Sequence, residues 1–275
     1  MARMTRSSEN SYNDDPPVID VNVSLSRWPF RRLAGDETTA LVDALRRREV
    51  TQAWAGTFDG IFHKDMASAN ARLAEDCRRN GAGMLIPFGS VNPTLPDWQE
   101  DVRRCHEEHR MPGIRLHPNY HGYGLKDPVF AELLRLAANR RLIIQIAVSM
   151  EDERTQHQLM RVPPVDLSPL PALLKGEPRA RFIVLNADPL RDMEQFEGLL
   201  SADAVCFDIS MVEGVGGVAR LARKVSAQRV LFGSHYPLFY FESALLKIRE
   251  AGFTKDERQA ILSENARRLL AARTG

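Results

Sequence analysis

The chain has 275 residues and a formal net charge of +1, with 44% hydrophobic and 27% charged residues. This balance is ordinary for a globular protein and gives no reason to expect binding to nucleic acid or an anionic membrane. The three cysteines form no CxxC pair, so they indicate neither a zinc site nor a redox dithiol and favour a reducing compartment. With no signal peptide and no membrane-spanning segment in the sequence, we expect a cytoplasmic protein.

Residues 1–16 are polar, and we interpret them as a flexible tail that precedes one domain over residues 17–275. Within this domain, β-branched runs alternate with segments whose apolar residues have helical spacing. The predicted strands are 18–23, 52–56, 84–91, 113–117, 142–148, 181–186, 204–209 and 229–233. The predicted helices are 36–48, 64–80, 95–110, 128–139, 151–159, 167–174, 190–200, 218–227, 239–251 and 255–272.

Strict alternation of strand and helix predicts an α/β fold built on a parallel sheet. Eight such units in about this length favour a single-domain (β/α)8 TIM barrel, regular or distorted. The alternative is an open doubly wound sheet with a nucleotide site. No GxGxxG follows the first strand and no GxxxxGK[ST] occurs, which disfavours that alternative.

Several segments resemble one known family. They are Ile19-Asp20, the PFGSVNP segment at 87–93, the GIRLHP segment at 113–118, the RVLFGSHYP segment at 229–237 and the ILSENARRLL segment at 261–270. In order and spacing they resemble the amidohydrolase-related branch of the amidohydrolase superfamily, which includes dicarboxylate lactonases and aromatic-acid decarboxylases. The resemblance implies a barrel whose active site lies at the carboxyl ends of the strands, commonly with a divalent metal.

The resemblance also implies where a metal would be held. Members usually use two histidines on strand one, one histidine each on strands five and six, and an aspartate on strand eight. The corresponding residues here are Asn22, Ser24, Ala147, Asn186 and His235. Asparagine and serine are poor zinc ligands and alanine is none. We therefore predict an enzyme that works without a metal or other cofactor.

Polar side chains nevertheless concentrate at the predicted strand ends. The predicted catalytic residues are those suited to moving or orienting a proton, namely His117, His235 and Asp208. The predicted substrate-binding residues are hydrogen-bonding side chains of strand ends and loops, namely Asn22, Ser24, Arg115, His121, Tyr120, Gln145, Asn186 and Tyr236. Histidine titrates near neutral pH and can pass a proton without large tuning. The alternative for each histidine is a structural cap of a strand end.

Arginine side chains suggest an acidic ligand. Arg115 has the geometry of an anion clamp, because a guanidinium pairs bidentately with a carboxylate, and its alternative is a buried salt bridge to Asp208. Arg27, Arg31 and Arg32 crowd the first loop and would attract an acidic substrate to the barrel mouth, unless they are simply solvated.

These observations predict a metal-independent hydrolase or lyase that acts on a small carboxylated substrate, with preorganised donors that stabilise developing charge. Two alternatives stay open. One is a metal-dependent hydrolase with a site rebuilt from His117, His235 and either His121 or Asp208, and the other is a ligand-binding barrel without catalysis. By analogy with barrels of this class, we expect a homodimer.

Overall fold

Parallel strands and helices alternate along the chain. The computed structural model describes residues 16–152, 154–159, 161–191 and 193–272, so the predicted tail lies outside it except for residue 16. The strands are β1 (Val18–Leu25), β2 (Val50–Thr57), β3 (Leu85–Ser90), β4 (Gly113–Leu116), β5 (Ile143–Ala147), β6 (Arg181–Leu185), β7 (Val205–Asp208) and β8 (Val230–Leu231). All eight strand predictions are confirmed, with ends that differ by a few residues.

The strands form one parallel sheet in the order β1 to β8, and the sheet closes on itself. The backbone N–H of Val21 donates to the carbonyl of Phe232 at 2.9 Å, and that of Ser24 donates to the carbonyl of Tyr236 at 3.0 Å. The chain just after β8 therefore continues the hydrogen bonding back to β1. The predicted (β/α)8 barrel in a single domain is confirmed.

Helices surround the barrel. They are α1 (Thr38–Arg46), α2 (Asp59–Phe62), α3 (Met66–Asn80), α4 (Trp98–Glu107), α5 (Pro118–His121), α6 (Pro128–Asn139), α7 (Leu170–Gly176), α8 (Met193–Leu200), α9 (Gly217–Val225), α10 (Phe241–Glu250), α11 (Lys255–Gln259) and α12 (Asn265–Ala271). A 3-10 turn spans Ala227–Arg229 and a π-helical turn spans Ala260–Glu264. None of the helices in the described ranges is long and apolar enough to cross a bilayer.

The helix predicted over 151–159 is wrong, because the described residues there form turns. The side chain of Asp152 accepts a hydrogen bond from the backbone N–H of Arg154, and its carbonyl accepts one from Thr155. Asp side chains favour such turns because they offer the backbone an alternative to the helical hydrogen bonds. This region is therefore a loop between β5 and α7.

The barrel interior contains an apolar cluster to which seven of the eight strands contribute. Its members are Ile19, Val21, Trp54, Phe88, Ile143, Ile183, Leu185, Cys206 and Leu231, with Ala266 of α12. Trp54 and Phe88 stack with ring centroids 4.9 Å apart. Cys206 is a small core residue, as predicted, and burial raises the pKa of its thiol to about 11. This layer fills the barrel below its carboxyl end.

The last strand is short and relies on the end of the chain. The N–H of Phe232 donates to the carbonyl of Ile261 at 3.0 Å. The side-chain amide of Asn265 donates to the carbonyls of Ala227 and Val230, both at 2.8 Å, and is 0% exposed. The π-helical turn and α12 thereby supply hydrogen bonds to β8.

We expect Asn265→Ala to destabilise the protein by about 2–4 kcal/mol, because it leaves two buried carbonyls without a donor. Urea unfolding of the purified variant measures the loss. The control is Asn139→Ala, which removes an exposed asparagine from the end of α6. Equal stability of both variants would contradict a supporting role of Asn265 for β8.

Candidate active site

The carboxyl ends of the strands carry a set of buried polar side chains. They lie on or directly after a strand and are each at most 4% exposed, namely Asp20, Asn22, Ser24, Ser90, Arg115, His117, Gln145, Asn186, Asp208, Ser210, Ser234 and His235. Removing polar groups from water costs free energy unless they find partners. Their partners therefore show which of them are structural and which stay available for chemistry.

One network joins β1, β6 and β7 across the barrel mouth. The side-chain amide of Asn22 donates to Oδ1 of Asn186 at 2.6 Å and to Oδ2 of Asp208 at 2.8 Å. The hydroxyl of Ser210 donates to the same Oδ1 at 3.0 Å, and the backbone N–H of Asn186 donates to Oδ1 of Asp208 at 3.0 Å. Asn186 has a left-handed backbone with φ of 57°, which directs its side chain into this network. Three predicted site residues are thus brought together.

Asp208 is a carboxyl that is buried away from water. Burial raises the pKa of this carboxyl to about 6, although hydrogen bonds from Asn22 and from the backbone of Asn186, and the nearby Ser210 hydroxyl, lower it. The ammonium of Lys247 on α10 also lowers it, and that ammonium donates to the carbonyl of Ser210 at 2.6 Å. Asp208 is therefore a carboxyl whose protonation changes near neutral pH.

Arg115 reaches across the barrel and is bonded throughout. Its Nε donates to Gln145 Oε1 at 2.8 Å, and its terminal nitrogens donate to Ser24 and to three backbone carbonyls, those of Val21, Val23 and Trp54. A guanidinium has five N–H groups, and here five acceptors from the chain surround it. Arg115 therefore has no free donor for a substrate anion. The structure gives it, with Gln145 and Ser24, a bracing role between β1, β2, β4 and β5.

Asp20 is a buried acid to which we assigned no role from the sequence. It accepts hydrogen bonds from the backbone N–H groups of Asn22 and Ser234, both at 3.0 Å, and from the Ser234 hydroxyl. Burial raises its pKa to about 7. Asp20 thereby ties β1 to the segment after β8. The sequence signals were an acid between apolar residues of the first strand and its place in the Ile19-Asp20 segment that resembles the family.

Two histidines at the mouth have defined tautomers. Nε2 of His235 lies 2.8 Å from the carbonyl of Met150, and Nε2 of His121 lies 3.0 Å from the carbonyl of Gly60. A carbonyl only accepts, so both Nε2 atoms carry the proton and both Nδ1 atoms carry a lone pair. These Nδ1 atoms, and that of His117, are buried without a hydrogen-bond partner. Unpartnered buried imidazole nitrogens are available for proton transfer.

The same three histidines are neutral at physiological pH. Burial lowers the pKa of His235 to about 4, and the positive charges of Arg115 and Arg31 lower it further, against the hydrogen bond to Met150. Burial also lowers the pKa of His121 to about 4. For His117 the pKa falls well below its usual value, first through burial and then through His121, Arg115 and His235. The histidines are therefore close enough to sense one another.

An aromatic cluster covers the histidines. Its buried members are Trp28, Phe58, Ile61, Ala147, Met150 and Leu238, and its partly buried members are Phe30, Leu33, Phe62, Tyr120 and Phe239. The Trp28 ring lies edge-on to Phe58 at 5.1 Å, and Phe239 lies edge-on to His235 at 5.1 Å. Tyr120, a predicted substrate contact, packs edge-on to Phe62 at 5.9 Å. We call this cluster the aromatic roof.

A cavity of about 900 Å³ opens beside the aromatic roof, over the ends of β5, β6 and β7. Asn186, Ser210 and Lys247 line it, together with Glu151 and Phe239. His117, His121 and His235 do not line it, and Met150 stands between the two regions, with its sulfur 4.0 Å from Nδ2 of Asn186 and its carbonyl bonded to His235. The predicted site is thus divided into an open part and a covered part.

Tyr236 lies apart from this site. Its hydroxyl donates to the carbonyl of Ala34 at 2.8 Å, and the guanidinium of Arg48 stands over its ring. Its neighbour His235 turns the other way because of a left-handed backbone with φ of 58°. The predicted substrate contact at Tyr236 is therefore occupied in holding the first loop.

The sequence matches the family model described as amidohydrolase over residues 25–184. Because this match covers more than half of the 275 residues, the chain belongs to the amidohydrolase family, as predicted. The protein is accordingly an enzyme, of the hydrolase or carbon–carbon lyase type. Comparison with curated proteins found no match.

Solved structures with this fold include aromatic-acid decarboxylases. The 5-carboxyvanillate decarboxylase of Sphingomonas paucimobilis is 13% identical, with a TM-score of 0.72 over 92% of this chain and 98% of that one. The 5-carboxyvanillate decarboxylase of Novosphingobium aromaticivorans, with manganese and 4-hydroxy-3-methoxy-5-nitrobenzoic acid, is 13% identical, with a TM-score of 0.74 over 98% and 100%. The 2,6-dihydroxybenzoate decarboxylase of Rhizobium is 12% identical, with a TM-score of 0.69 over 92% and 99%. At these identities they show a shared fold.

The prediction that the protein has no cofactor is wrong in view of these structures. Two structures of the Novosphingobium decarboxylase hold manganese, which points to a divalent metal cofactor. That prediction was based on Asn or Ser at positions where the family usually has a His ligand. Such replacements change individual ligands, and they do not decide whether the family uses a metal.

The side chains of this chain, as they are arranged, do not fit such an ion. Manganese takes clustered carboxylate, imidazole and water ligands. In the part of the chain that the structure describes, no group of three or more His, Cys, Asp or Glu side chains could hold one. Oxygens of Asn186 and Asp208 already accept hydrogen bonds from Asn22. No catalytic step through a metal is therefore assigned to these side chains.

The buried histidines should make stability depend on pH. An unfolded His235 takes up a proton near pH 6.5, whereas the folded one does so only near pH 4, so stability falls as the pH drops through this window. Between pH 7 and pH 5 this group alone should cost about 2 kcal/mol. We expect His235→Gln to lose that much less stability than the wild type, measured by urea unfolding at both pH values.

The control for this experiment is His63→Gln, because His63 is exposed. This variant should follow the wild type at both pH values. If His235→Gln also followed the wild type, His235 would be either solvated or already charged in the folded protein.

Proposed function

We propose that this protein is a carbon–carbon lyase of the amidohydrolase family that decarboxylates a small hydroxylated aromatic carboxylate. The observation that carries the proposal is the pair of buried imidazoles, His117 and His235, with unpartnered Nδ1 atoms beneath the aromatic roof. The aromatic-acid decarboxylases that share this fold support the same choice of substrate.

The aromatic roof suits a planar ring. Trp28 presents its ring edge-to-face to Phe30, Phe58 and Phe62 at centroid distances of 5.5, 5.1 and 5.4 Å. Aromatic pairs favour this geometry at 4.5–7 Å, and a bound ring gains further when it displaces water from such a surface. A substrate ring that replaced Phe239 in its contact with His235 would lie edge-on to that imidazole, where the ring centroids are 5.1 Å apart.

The histidines would move the proton that decarboxylation requires. A phenolic hydroxyl of the substrate gives its proton to the Nδ1 lone pair of His235 or to the unprotonated ring nitrogen of His117. The imidazolium returns that proton to the ring carbon while the bond from this carbon to the carboxylate breaks and carbon dioxide leaves. The phenolate that remains takes a proton from water. The low pKa makes each imidazole a weak base towards the phenol and its imidazolium a strong acid towards the ring carbon, so these histidines favour the return of the proton.

Asn186 would hold the substrate from the side of the cavity. The Nδ2 group of Asn186 has the thioether of Met150 as its hydrogen-bond contact, at 4.0 Å, and a thioether is a weak acceptor. This amide can therefore donate to an oxygen of a bound substrate. Asp208 and Asn22 fix its orientation through the network at the mouth.

The first experiment is an assay with 2,6-dihydroxybenzoate and 5-carboxyvanillate. Protein purified without chelator is analysed for metals and assayed as isolated and with added manganese, and the decarboxylated phenol is measured by chromatography. In D2O the product should carry deuterium at the carbon that lost the carboxylate. Binding without product under both conditions would favour the alternative of a ligand-binding barrel, and hydrolysis of a lactone or ester instead would favour a hydrolase.

We expect His235→Gln and His117→Gln each to lower kcat by about 10²-fold or more, because loss of a positioned proton carrier typically costs that much. Steady-state kinetics with the accepted substrate measure the effect. The exposed His63→Gln should keep wild-type kinetics. Unchanged kcat in the two buried variants would remove both histidines from the mechanism.

The homodimer and the cytoplasmic location stay predictions. Light scattering of the purified protein tests the first, and cell fractionation tests the second.

A further inference from the structure

Two loops meet above the barrel mouth through an ion pair. Arg31 lies in the loop after β1, and Glu151 lies in the loop after β5. The guanidinium of Arg31 donates to the carboxylate of Glu151, whose side chain is 3% exposed, whereas that of Arg31 is 40% exposed. Phe30, the neighbour of Arg31, stacks on His157 of the second loop at 5.6 Å, so the two loops touch at a second point. We call the Arg31–Glu151 pair the latch.

The latch lies between the covered histidines and the open cavity. Glu151 lines the cavity and follows Met150, whose carbonyl accepts the hydrogen bond from His235. Arg31 is near enough to His235 for its charge to lower the pKa of that imidazole, after burial and Arg115. Glu151 in turn helps burial to raise the pKa of Tyr120 in the aromatic roof. The charges of Arg31 and Glu151 therefore both shift the pKa of a group at the candidate active site.

The other cations near the cavity have partners or positions that make them poorer anion sites. Arg115 is surrounded by five acceptors from the chain. Lys247 donates to the carbonyls of Ile209 and Ser210. Arg154 and Arg191 are exposed, with ion pairs to Asp152 and Glu213. Asp152 and Glu213 also line the cavity, but their side chains are 34% and 62% exposed. Among these cations, Arg31 is thus the one whose carboxylate partner on the cavity wall is buried.

We propose that Arg31 binds the carboxylate of the substrate and that Glu151 takes this place in the free enzyme. The inference rests on the proposed function, since it assigns the anion site of that same reaction. The substrate carboxylate replaces the carboxylate of Glu151 at the guanidinium of Arg31. Arg31 therefore stays paired with one negative charge. Glu151 then turns into the water of the cavity, because a buried carboxylate without a partner is strongly unfavourable. Substrate binding and separation of the two loops are therefore one event.

This exchange reduces the apparent affinity of the wild type. A site that is filled by an internal competitor binds its ligand more weakly, in proportion to the fraction of molecules in which the site is free. Removing the charge of Glu151 while keeping Arg31 should strengthen the binding of carboxylates and leave the binding of uncharged ligands unchanged. Removing Arg31 should weaken the binding of carboxylates. Glu151→Gln and Arg31→Met therefore have opposite expected effects.

The test is isothermal titration of wild type, Glu151→Gln and Arg31→Met with 2,6-dihydroxybenzoate and with its uncharged amide. We expect the Kd for the carboxylate to fall about 10-fold in Glu151→Gln and to rise about 10-fold or more in Arg31→Met, with the amide little changed in both. The matched control is Glu37→Gln, which breaks the exposed Arg27–Glu37 pair at the same first loop. This control should bind like the wild type.

Further measurements keep folding and function separate from the latch. Thermal unfolding and circular dichroism identify a variant that fails to fold, and Arg31→Lys, which keeps the charge without the bidentate fork, should then show an intermediate loss. Tighter carboxylate binding by Glu151→Gln supports the latch even if no benzoate is turned over. Unchanged or weaker carboxylate binding by a folded Glu151→Gln overturns it, even if decarboxylation is found.

Discussion

The guanidinium of Arg115 is the interaction on which the arrangement of the mouth depends. It is a charged group in the middle of a barrel, 2% exposed, and its acceptors come from β1, β2 and β5 while its own strand is β4. Burial lowers its pKa to about 10, and Asp20 and Asp208 oppose this shift, so it stays charged at neutral pH. Because the carbonyls of Val21 and Val23 turn inward to meet it, the register of β1 against β2 is irregular at that point.

The irregular register of β1 sets the direction of the neighbouring side chains of the site. Asn22 lies between the two carbonyls that Arg115 holds, and its amide is thereby directed toward Asn186 and Asp208. Asp20 is fixed on the same strand by the segment after β8. The polar groups near the Arg115 guanidinium are uncharged amides and two carboxyls. These carboxyls belong to Asp20 and Asp208, and burial raises the pKa of both. The imidazoles of His117 and His235 stay neutral beside it mainly because burial lowers their pKa values, and the positive charge of Arg115 lowers them further.

The sequence predicted the barrel well because its evidence was distributed along the chain. Eight apolar runs with helical segments between them leave few other arrangements, and each run needed only its own pattern to be recognised. The family was predicted from segments of the same kind, and the family model confirms it. The helix predicted at 151–159 failed because Asp152 forms a local turn that apolar spacing does not reveal.

The site was harder to predict because roles depend on partners that are far apart in sequence. Arg115 has the residue type of an anion clamp, but its acceptors lie 30 to 94 positions away and only the fold brings them together. Tyr236 and His235 are neighbours in the chain, yet a left-handed backbone at His235 sends them to different regions. Asn22, Asn186 and Asp208 did meet, since ends of parallel strands converge at one face of a barrel.

The short last strand has a consequence for how the protein is made. β1 pairs on one side with residues 232 and 236. Ile261 accepts a hydrogen bond from residue 232, and Asn265 supports β8 itself. During synthesis this edge of the first strand therefore has no partner until residues 232–265 have been made. An unpaired edge of apolar strand is a template for association with other chains. Polar and charged side chains reduce the association of an unpaired strand. The polar residues of β1 that shape the mouth, Asp20, Asn22 and Ser24, therefore also reduce association of this edge in the nascent protein.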